Sequence, residues 1–174
     1  MMDVAVKSSV WALGLCALIQ LGCAGTRPAA PAAAPKETTM TKRASGTFDV
    51  KLTPMAPDAQ GGDPGLGRML IDKQFQGELE ATSKGQMIGT MNEAIGNSGG
   101  YVALERVDGR LHGRGGTFIL QHSGTMTRGA QSLSVTVVPD SGTGELTGLT
   151  GSMKIIITGK QHAYEFDYAL PDSP

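Results

Sequence analysis

The chain has few cysteines and few aromatic residues. Two of its 174 residues are cysteines, Cys16 and Cys23, and 5% are aromatic. Cys16 lies in an apolar N-terminal stretch that export would remove, so we expect a mature protein without a disulfide. There is no CxxC pair, and the three histidines form neither an HxH nor an HExxH motif. The sequence therefore predicts no metal site and no cofactor.

The chain also lacks an excess of either charge. It has 15 Lys and Arg against 16 Asp and Glu, a formal net charge of -1. Binding to a phosphate backbone needs a basic surface, so this balance argues against nucleic acid as a partner. The sequence has no GxSxG motif, P-loop or dinucleotide fingerprint. We therefore assign no catalytic residue, and the motifs do not indicate an enzyme.

Residues 1–22 have the features of a lipoprotein-type signal peptide. Lys7 precedes an apolar stretch at residues 10–19, which is too short to span a bilayer. The stretch ends at Gln20-Leu21-Gly22-Cys23, which resembles the bacterial lipobox, although Gln20 stands where Leu is usual. The resemblance implies that Cys23 is acylated and that the protein is exported and anchored to a membrane. The anchor would lie in the outer membrane if the cell has one, and the alternative is a secreted protein cut near Ala24.

Residues 23–44 are predicted to form a disordered Pro/Ala-rich tether. Pro28, Pro31 and Pro35 interrupt alanines that would otherwise favour a helix, and the segment has no apolar periodicity to bury. We expect this spacer to hold a domain at residues 45–171 away from the membrane. A short tail follows at residues 172–174.

The body of the chain is predicted to be all-β. Apolar and polar residues alternate through most of it, most regularly at 132–138 and 162–170. Residues 68–81 are predicted to form one long half-buried strand, and 84–97 fit either a short helix or a broken strand. About eight strands with short turns predict a closed antiparallel barrel or a two-sheet sandwich.

Asp108-Gly109 is the strongest hairpin signal in the sequence. A turn there would place Glu105 opposite His112, with Arg114 on the same face. A carboxylate facing an imidazole can act as an acid/base pair, and the alternative is a charged cluster on the barrel exterior. In the exterior case the residues facing the core would be Val102, Leu104 and Leu111.

Lys73 is a charged residue on an otherwise apolar strand face. A buried ammonium is costly unless it is paired, so we expect it to meet a carboxylate, a carbonyl or the anionic group of a ligand. The side chains that would line a ligand pocket with Lys73 are Phe75, His122, Tyr164 and Tyr168. The alternative is a lysine that reaches solvent at the barrel mouth above a filled core.

Four stretches of the body carry a family resemblance. They read GRMLIDKQFQGELEATSKGQM, GYVALERVDGRLHGRGGTFILQHSGTM, LSVTVVPDSGTGELTGLTGSMKI and YEFDYAL. In this order they are similar to the bacterial domain-of-unknown-function family 3224, over residues 45–170. The resemblance implies an eight-stranded barrel like that of allene oxide cyclase, and it implies no activity. None of the catalytic residues of the plant cyclases maps onto this chain, and their trimeric assembly leaves a homo-oligomer open.

These patterns favour one functional hypothesis and leave two others open. The favoured one is an exported, lipid-anchored barrel that binds a small apolar or carboxylated ligand in its interior, with Lys73 as the polar handle. The second is a cyclase-like or isomerase-like enzyme that uses one buried acid/base group. The third is an envelope interaction module, which would expose a continuous apolar patch.

Overall fold

The computed structural model describes residues 40–56, 62–63 and 65–171, and these residues form a closed antiparallel barrel. Its eight strands pair in sequence order, and β8 closes the barrel against β1. They are β1 (Lys42–Pro54), β2 (Gly67–Gly77), β3 (Leu79–Asn92), β4 (Ser98–Leu111), β5 (Arg114–Thr127), β6 (Ala130–Val137), β7 (Thr150–Thr158) and β8 (Gln161–Ala169). The predicted barrel is confirmed. The signal segment, most of the tether and the tail lie outside the described residues.

The alternation predicted for the last strand is also observed. Tyr164, Phe166 and Tyr168 of β8 all point into the core. They pack with Phe75 of β2 and Phe118 of β5. Among the described residues no helix is long and apolar enough to cross a bilayer.

One end of the barrel is plugged by the connection between β6 and β7. This connection contains a short 3-10 helix, Gly144–Leu146, and it buries Leu146 and Leu149 completely in the core. The amide of Thr143 donates to the carbonyl of Thr117 at 2.8 Å, which ties the connection to β5. We call this the plugged end. The opposite end, where the β3–β4, β5–β6 and β7–β8 turns lie, is called the open end.

The turn predicted at Asp108-Gly109 is wrong. β4 runs straight through it, and the chain reverses at His112-Gly113, where φ is 48° and 80°. Gly109 is needed for another reason: a Cβ there would overlap the backbone of β3 at Glu80 and Ala81. The later turn changes the predicted faces of the strand, since Val102 and Leu104 are exposed and Leu111 alone of the three is buried.

The single strand predicted over residues 68–81 is two strands. The chain reverses near Gly77, so that Phe75 of β2 pairs with Ala81 of β3. The predicted inward face is nevertheless correct, because Ile71, Lys73, Phe75 and Leu79 are all buried. Residues 84–97, where the pattern was ambiguous, continue β3 to Asn92 and then form a 3-10 turn at Glu93–Ile95.

The strands are unequally paired around the barrel. β3 and β4 are each 14 residues long and pair along their full length, from Leu79 opposite Leu111 to Asn92 opposite Ser98. β6 and β7 pair only through Thr136 and Ser152. We call this short contact the β6–β7 seam.

Candidate functional site

Four polar side chains meet inside the barrel, one from each of four adjacent strands. They are Lys73 of β2, Ser83 of β3, Glu105 of β4 and His122 of β5, and all are buried. The Glu105 carboxylate is the centre of the group. Its Oε1 accepts from Lys73 Nζ at 2.9 Å and lies 3.1 Å from His122 Nε2, and its Oε2 accepts from Ser83 Oγ at 3.2 Å. We call these four residues the polar cluster.

The strand register accounts for the polar cluster. Lys73 is directly opposite Ser83 across β2 and β3, so their side chains share the inner face. Glu105 pairs with Leu120 of β5, and His122 lies two residues further on, on that same inner face. The cluster therefore follows from inward-facing positions on neighbouring strands.

Glu105 is held as a carboxylate. Burial by itself would raise its pKa, but the hydrogen bond with His122 and the charges of Lys73 and His122 outweigh burial and lower the pKa below its ordinary value. The Lys73 ammonium also makes cation–π contacts with two aromatic rings. Its Nζ lies 5.0 Å from the Phe48 ring centroid and 5.7 Å from that of Phe75. The carboxylate that the sequence requires for Lys73 is thus supplied by the chain itself.

Tyr101 lies beside the polar cluster and was not anticipated from the sequence. It is half-buried on the inner face of β4, between Gly89 of β3 and Gly124 of β5, and a Cβ at Gly124 would overlap its ring. Burial and the charge of Glu105 raise the pKa of the phenol. Residues an even number apart in a strand share a face, so Tyr101 belongs with Glu105 and Ser83 with Leu79. The misplaced turn and the ambiguous pattern at 84–97 hid these two relations.

Tyr164 and Tyr168 do not join Lys73 and His122. The Tyr164 hydroxyl accepts a hydrogen bond from the Leu79 amide at 2.8 Å. The Tyr168 hydroxyl lies 2.6 Å from Nδ1 of His112, in the β4–β5 turn. Both hydroxyls serve internal hydrogen bonds. Of the predicted pocket residues, Lys73 and His122 therefore meet at the Glu105 carboxylate and Phe75 lies beside Lys73. Tyr164 contacts Phe75 only through its ring.

The predicted cluster of Glu105, His112 and Arg114 does not form. Glu105 is deep in the barrel, whereas His112 is in the β4–β5 turn, with its Nε2 3.1 Å from Glu78 Oε1. The hydrogen bond with His112 and those from Ser45 lower the pKa of Glu78. Arg114 follows the turn, where its charge acts on Tyr168 rather than on Glu105. The misplaced turn explains the error, since it assigned the wrong partners to both sides.

A large groove lies on the outer surface of the described barrel. It has a volume of about 1370 Å³ and lies between the β1–β2 loop and the outer faces of β2, β3 and β4. Exposed aliphatic side chains form its lining: Leu66, Leu70, Ile88, Val102 and Leu104. We call this the outer groove. Neither it nor a second cavity, of about 150 Å³, is lined by Lys73, Glu105 or His122.

The fold and the interior define a closed eight-stranded barrel with a buried ionic cluster. The chain belongs to the DUF3224 family, whose model, described as a protein of unknown function, matches residues 44–168. A solved structure of a DUF3224 protein from Shewanella oneidensis MR-1, also of unknown function, is 51% identical, with a TM-score of 0.70. The match covers 77% of this chain and 100% of that one. No curated protein matches this chain. The family resemblance is confirmed, and it brings no activity with it.

Proposed function

We propose that this protein binds an elongated, mostly apolar small molecule in the outer groove. The observation that carries the proposal is the concentration of five exposed aliphatic side chains in one groove of about 1370 Å³. Covering apolar surface contributes about 25 cal/mol per Å², so this lining favours an apolar occupant. The ligand class predicted from the sequence is kept, and its site moves from the interior to the outer surface.

The shape of the outer groove favours a small molecule over a flat protein surface. Met55, Ala56 and Asp63, between β1 and β2, line it together with the sheet and form a wall above the strands. Its volume exceeds the range of about 300–1,000 Å³ for pockets that take drug-sized ligands, which suits a long molecule.

The charges in the outer groove balance one another. Arg68 and Lys84 line it with Asp63, and Lys84 Nζ lies 3.6 Å from Asp72 Oδ2 just outside. Because neither sign dominates, recognition rests on apolar contact and shape. A carboxylated ligand is therefore a weaker expectation than an uncharged one.

Glu105, the central group of the polar cluster, does not suit the acid/base role in the enzyme hypothesis. Glu105 accepts from three side chains, and its pKa is lowered, so at neutral pH it has no proton to donate and is a weak base. Catalysis by proton transfer needs a group whose pKa lies near the working pH. We therefore propose binding rather than catalysis.

A dye titration tests the outer groove. N-phenyl-1-naphthylamine is apolar and uncharged and fluoresces when it leaves water, and we expect saturable binding that hexadecanol displaces more effectively than palmitate. The double variant Val102→Thr/Leu104→Gln should weaken dye binding at least tenfold, since burying one Leu contributes about 1.5–3 kcal/mol. Met40→Gln is the matched control, because Met40 is also an exposed apolar residue but lies outside the groove.

The proposal is overturned if the dye does not bind saturably, or if the double variant and the control lose affinity equally. Absence of dye binding together with association of the purified protein that the double variant abolishes would assign the same apolar face to protein docking.

A further inference from the structure

We propose that the open end of the barrel is a second binding site, for a small uncharged molecule with an apolar body and one hydrogen-bond acceptor such as a ketone or ester. This site faces the barrel interior, whereas the outer groove lies on the outer faces of the strands, and the two share Met87. It is formed by inward-facing side chains above the polar cluster.

Inward-facing apolar side chains are buried at one end of the barrel and exposed at the other. At the plugged end these side chains are buried beneath Leu146 and Leu149. At the open end inward-facing residues near the strand ends are exposed: Leu52 by 47%, Met91 by 54%, Leu133 by 43% and Ile157 by 57%. Their positions are fixed by register, as Leu52 is opposite the buried Ile71 and Leu133 is opposite Gly124. The open end is thus an apolar rim that none of the described residues covers.

Methionines line the open end. Met69 is directly opposite Met87 across β2 and β3, and Met91 and Met126 are both opposite Gly99 of β4. Methionine is unbranched and polarizable, with three rotatable bonds, so such a lining adapts to an entering ligand. That adaptability matters here because the side chains must move aside to admit one.

Tyr101 and His122 lie beneath this apolar rim. His122 is opposite Ala103, which is in turn opposite Met87, and Tyr101 is one step nearer the open end on the same face of β4. An ordinary tyrosine phenol keeps its proton at neutral pH, and burial and Glu105 raise the pKa of Tyr101 further, so it remains a hydrogen-bond donor. A ligand that enters past the methionines meets a donor.

The Lys73 ammonium beneath the rim is already paired. Lys73 and Glu105 form an ion pair at 2.9 Å, and Glu105 accepts from Ser83 and lies against His122 as well. The Lys73 ammonium is already held by Glu105, so a carboxylated ligand would have to compete with Glu105 for it and give up its own hydration, which is costly. An uncharged acceptor avoids that cost, and this is why the ligand class is neutral rather than carboxylated.

Methionine methyl NMR on the full chain tests this site and separates it from the outer groove. The probes are 2-nonanone and octanoate, which have similar size and differ in charge. We expect 2-nonanone to shift the methyl signals of Met69, Met91 and Met126 saturably. Met55, which lines the outer groove, and Met153, which is in the core, should stay unchanged. Octanoate should bind at least tenfold more weakly.

Two variants complete the test. Tyr101→Phe removes the donor and keeps the ring, and it should weaken 2-nonanone binding about two- to tenfold, as expected for one hydrogen bond. Val102→Thr/Leu104→Gln alters only the outer groove and should leave this titration unchanged. The proposal is overturned if the open-end methionines do not shift saturably, if octanoate binds as well as the ketone, or if Tyr101→Phe binds the ketone with unchanged affinity.

Discussion

The buried pair of Lys73 and Glu105 is a costly arrangement that the barrel satisfies completely. Each charge loses its hydration on burial, and only close contacts inside the protein offset that loss. Among the described residues no buried side-chain nitrogen or oxygen lacks a hydrogen-bond partner. Apolar residues of similar volume commonly give equal or greater stability at such positions. Stability alone therefore does not account for the cluster.

Removing one charge of the pair should be more damaging than removing both. Glu105→Gln leaves the Lys73 ammonium buried without a carboxylate, and we expect the free energy of unfolding to fall by about 3–5 kcal/mol. The double variant Lys73→Met/Glu105→Leu, which replaces the pair by apolar side chains, should recover most of that loss. Urea unfolding measures both, and a double variant as unstable as the single one would contradict the prediction.

The stability supplied by Glu105 should depend on pH. In the unfolded chain this carboxyl titrates near its ordinary value of 4.5, and in the folded protein its pKa is lower. Below about pH 4.5 the unfolded state therefore binds the proton first, and the contribution is lost as the pH falls through the folded pKa. Above that range it is constant.

The measurement is the difference in unfolding free energy between the unmodified protein and Glu105→Gln from pH 7 to pH 3. The carboxyls of Glu78 and Asp167, whose pKa values are also lowered, titrate in both proteins and cancel in the difference. We expect the difference to shrink with acid. A difference that stays constant to pH 3 would show that Glu105 is not the group that titrates.

The sequence predicted the kind of group that Lys73 must contact, but not which residue supplies it. An ammonium among apolar neighbours has to meet a carboxylate or a comparable acceptor, and it does. Identifying Glu105 needed the register of β4 against β3 and β5. That register depends on where the β4–β5 turn falls, and an error of four residues there placed Glu105 opposite His112 instead of Leu120.

At the scale of strands, the alternation of apolar and polar residues predicted strand positions well, whereas glycines predicted turn positions poorly. The strands rich in β-branched and aromatic residues, β6 and β8, were found where the pattern placed them. Glycines in this chain have two roles that look alike in the sequence, since some reverse the chain and others admit a neighbouring strand. Gly109 admits the neighbouring strand β3, but because Asp108 precedes it, the pair resembles an Asp-Gly hairpin turn.

Alanine substitutions separate these two roles of glycine. Gly113→Ala places a side chain at φ 80° with nothing within 4 Å, so we expect a loss of about 1–2 kcal/mol from backbone strain alone. Gly109→Ala should cost more, because its Cβ would overlap the backbone of β3. Gly100→Ala, where the nearest atom is 3.4 Å away, is the control and should be nearly neutral. Urea unfolding midpoints rank the stability of the three variants. A greater loss in Gly113→Ala than in Gly109→Ala would contradict the prediction.

For the whole molecule, the barrel is the unit that the family shares. The solved relative from Shewanella is covered completely by its match to this chain, and the family model begins at residue 44. Residues 1–43 thus lie outside the family match. We propose that they export and anchor the barrel, as the sequence of residues 1–23 indicates.

Acylation of Cys23 is tested directly in the host cell. We expect the mature protein to fractionate with membranes and to have a mass that includes the lipid on Cys23, because two or more acyl chains give stable anchoring. Cys23→Ser should abolish both the added mass and the membrane association. A mature protein without added mass, cut near Ala24, would support the secreted alternative instead.

The β6–β7 seam gives this closed barrel a place to open. Every other neighbouring pair of strands is held by a longer ladder, so thermal fluctuations would separate β6 from β7 first, and the amides on these two strands would exchange with deuterium ahead of the rest. The chain that links them is also the plug, which is tied to β5 through Thr117 and limits how far the edges part. A molecule opened at this seam is a rolled sheet with two free edges, and each edge is a template for the complementary edge of another copy.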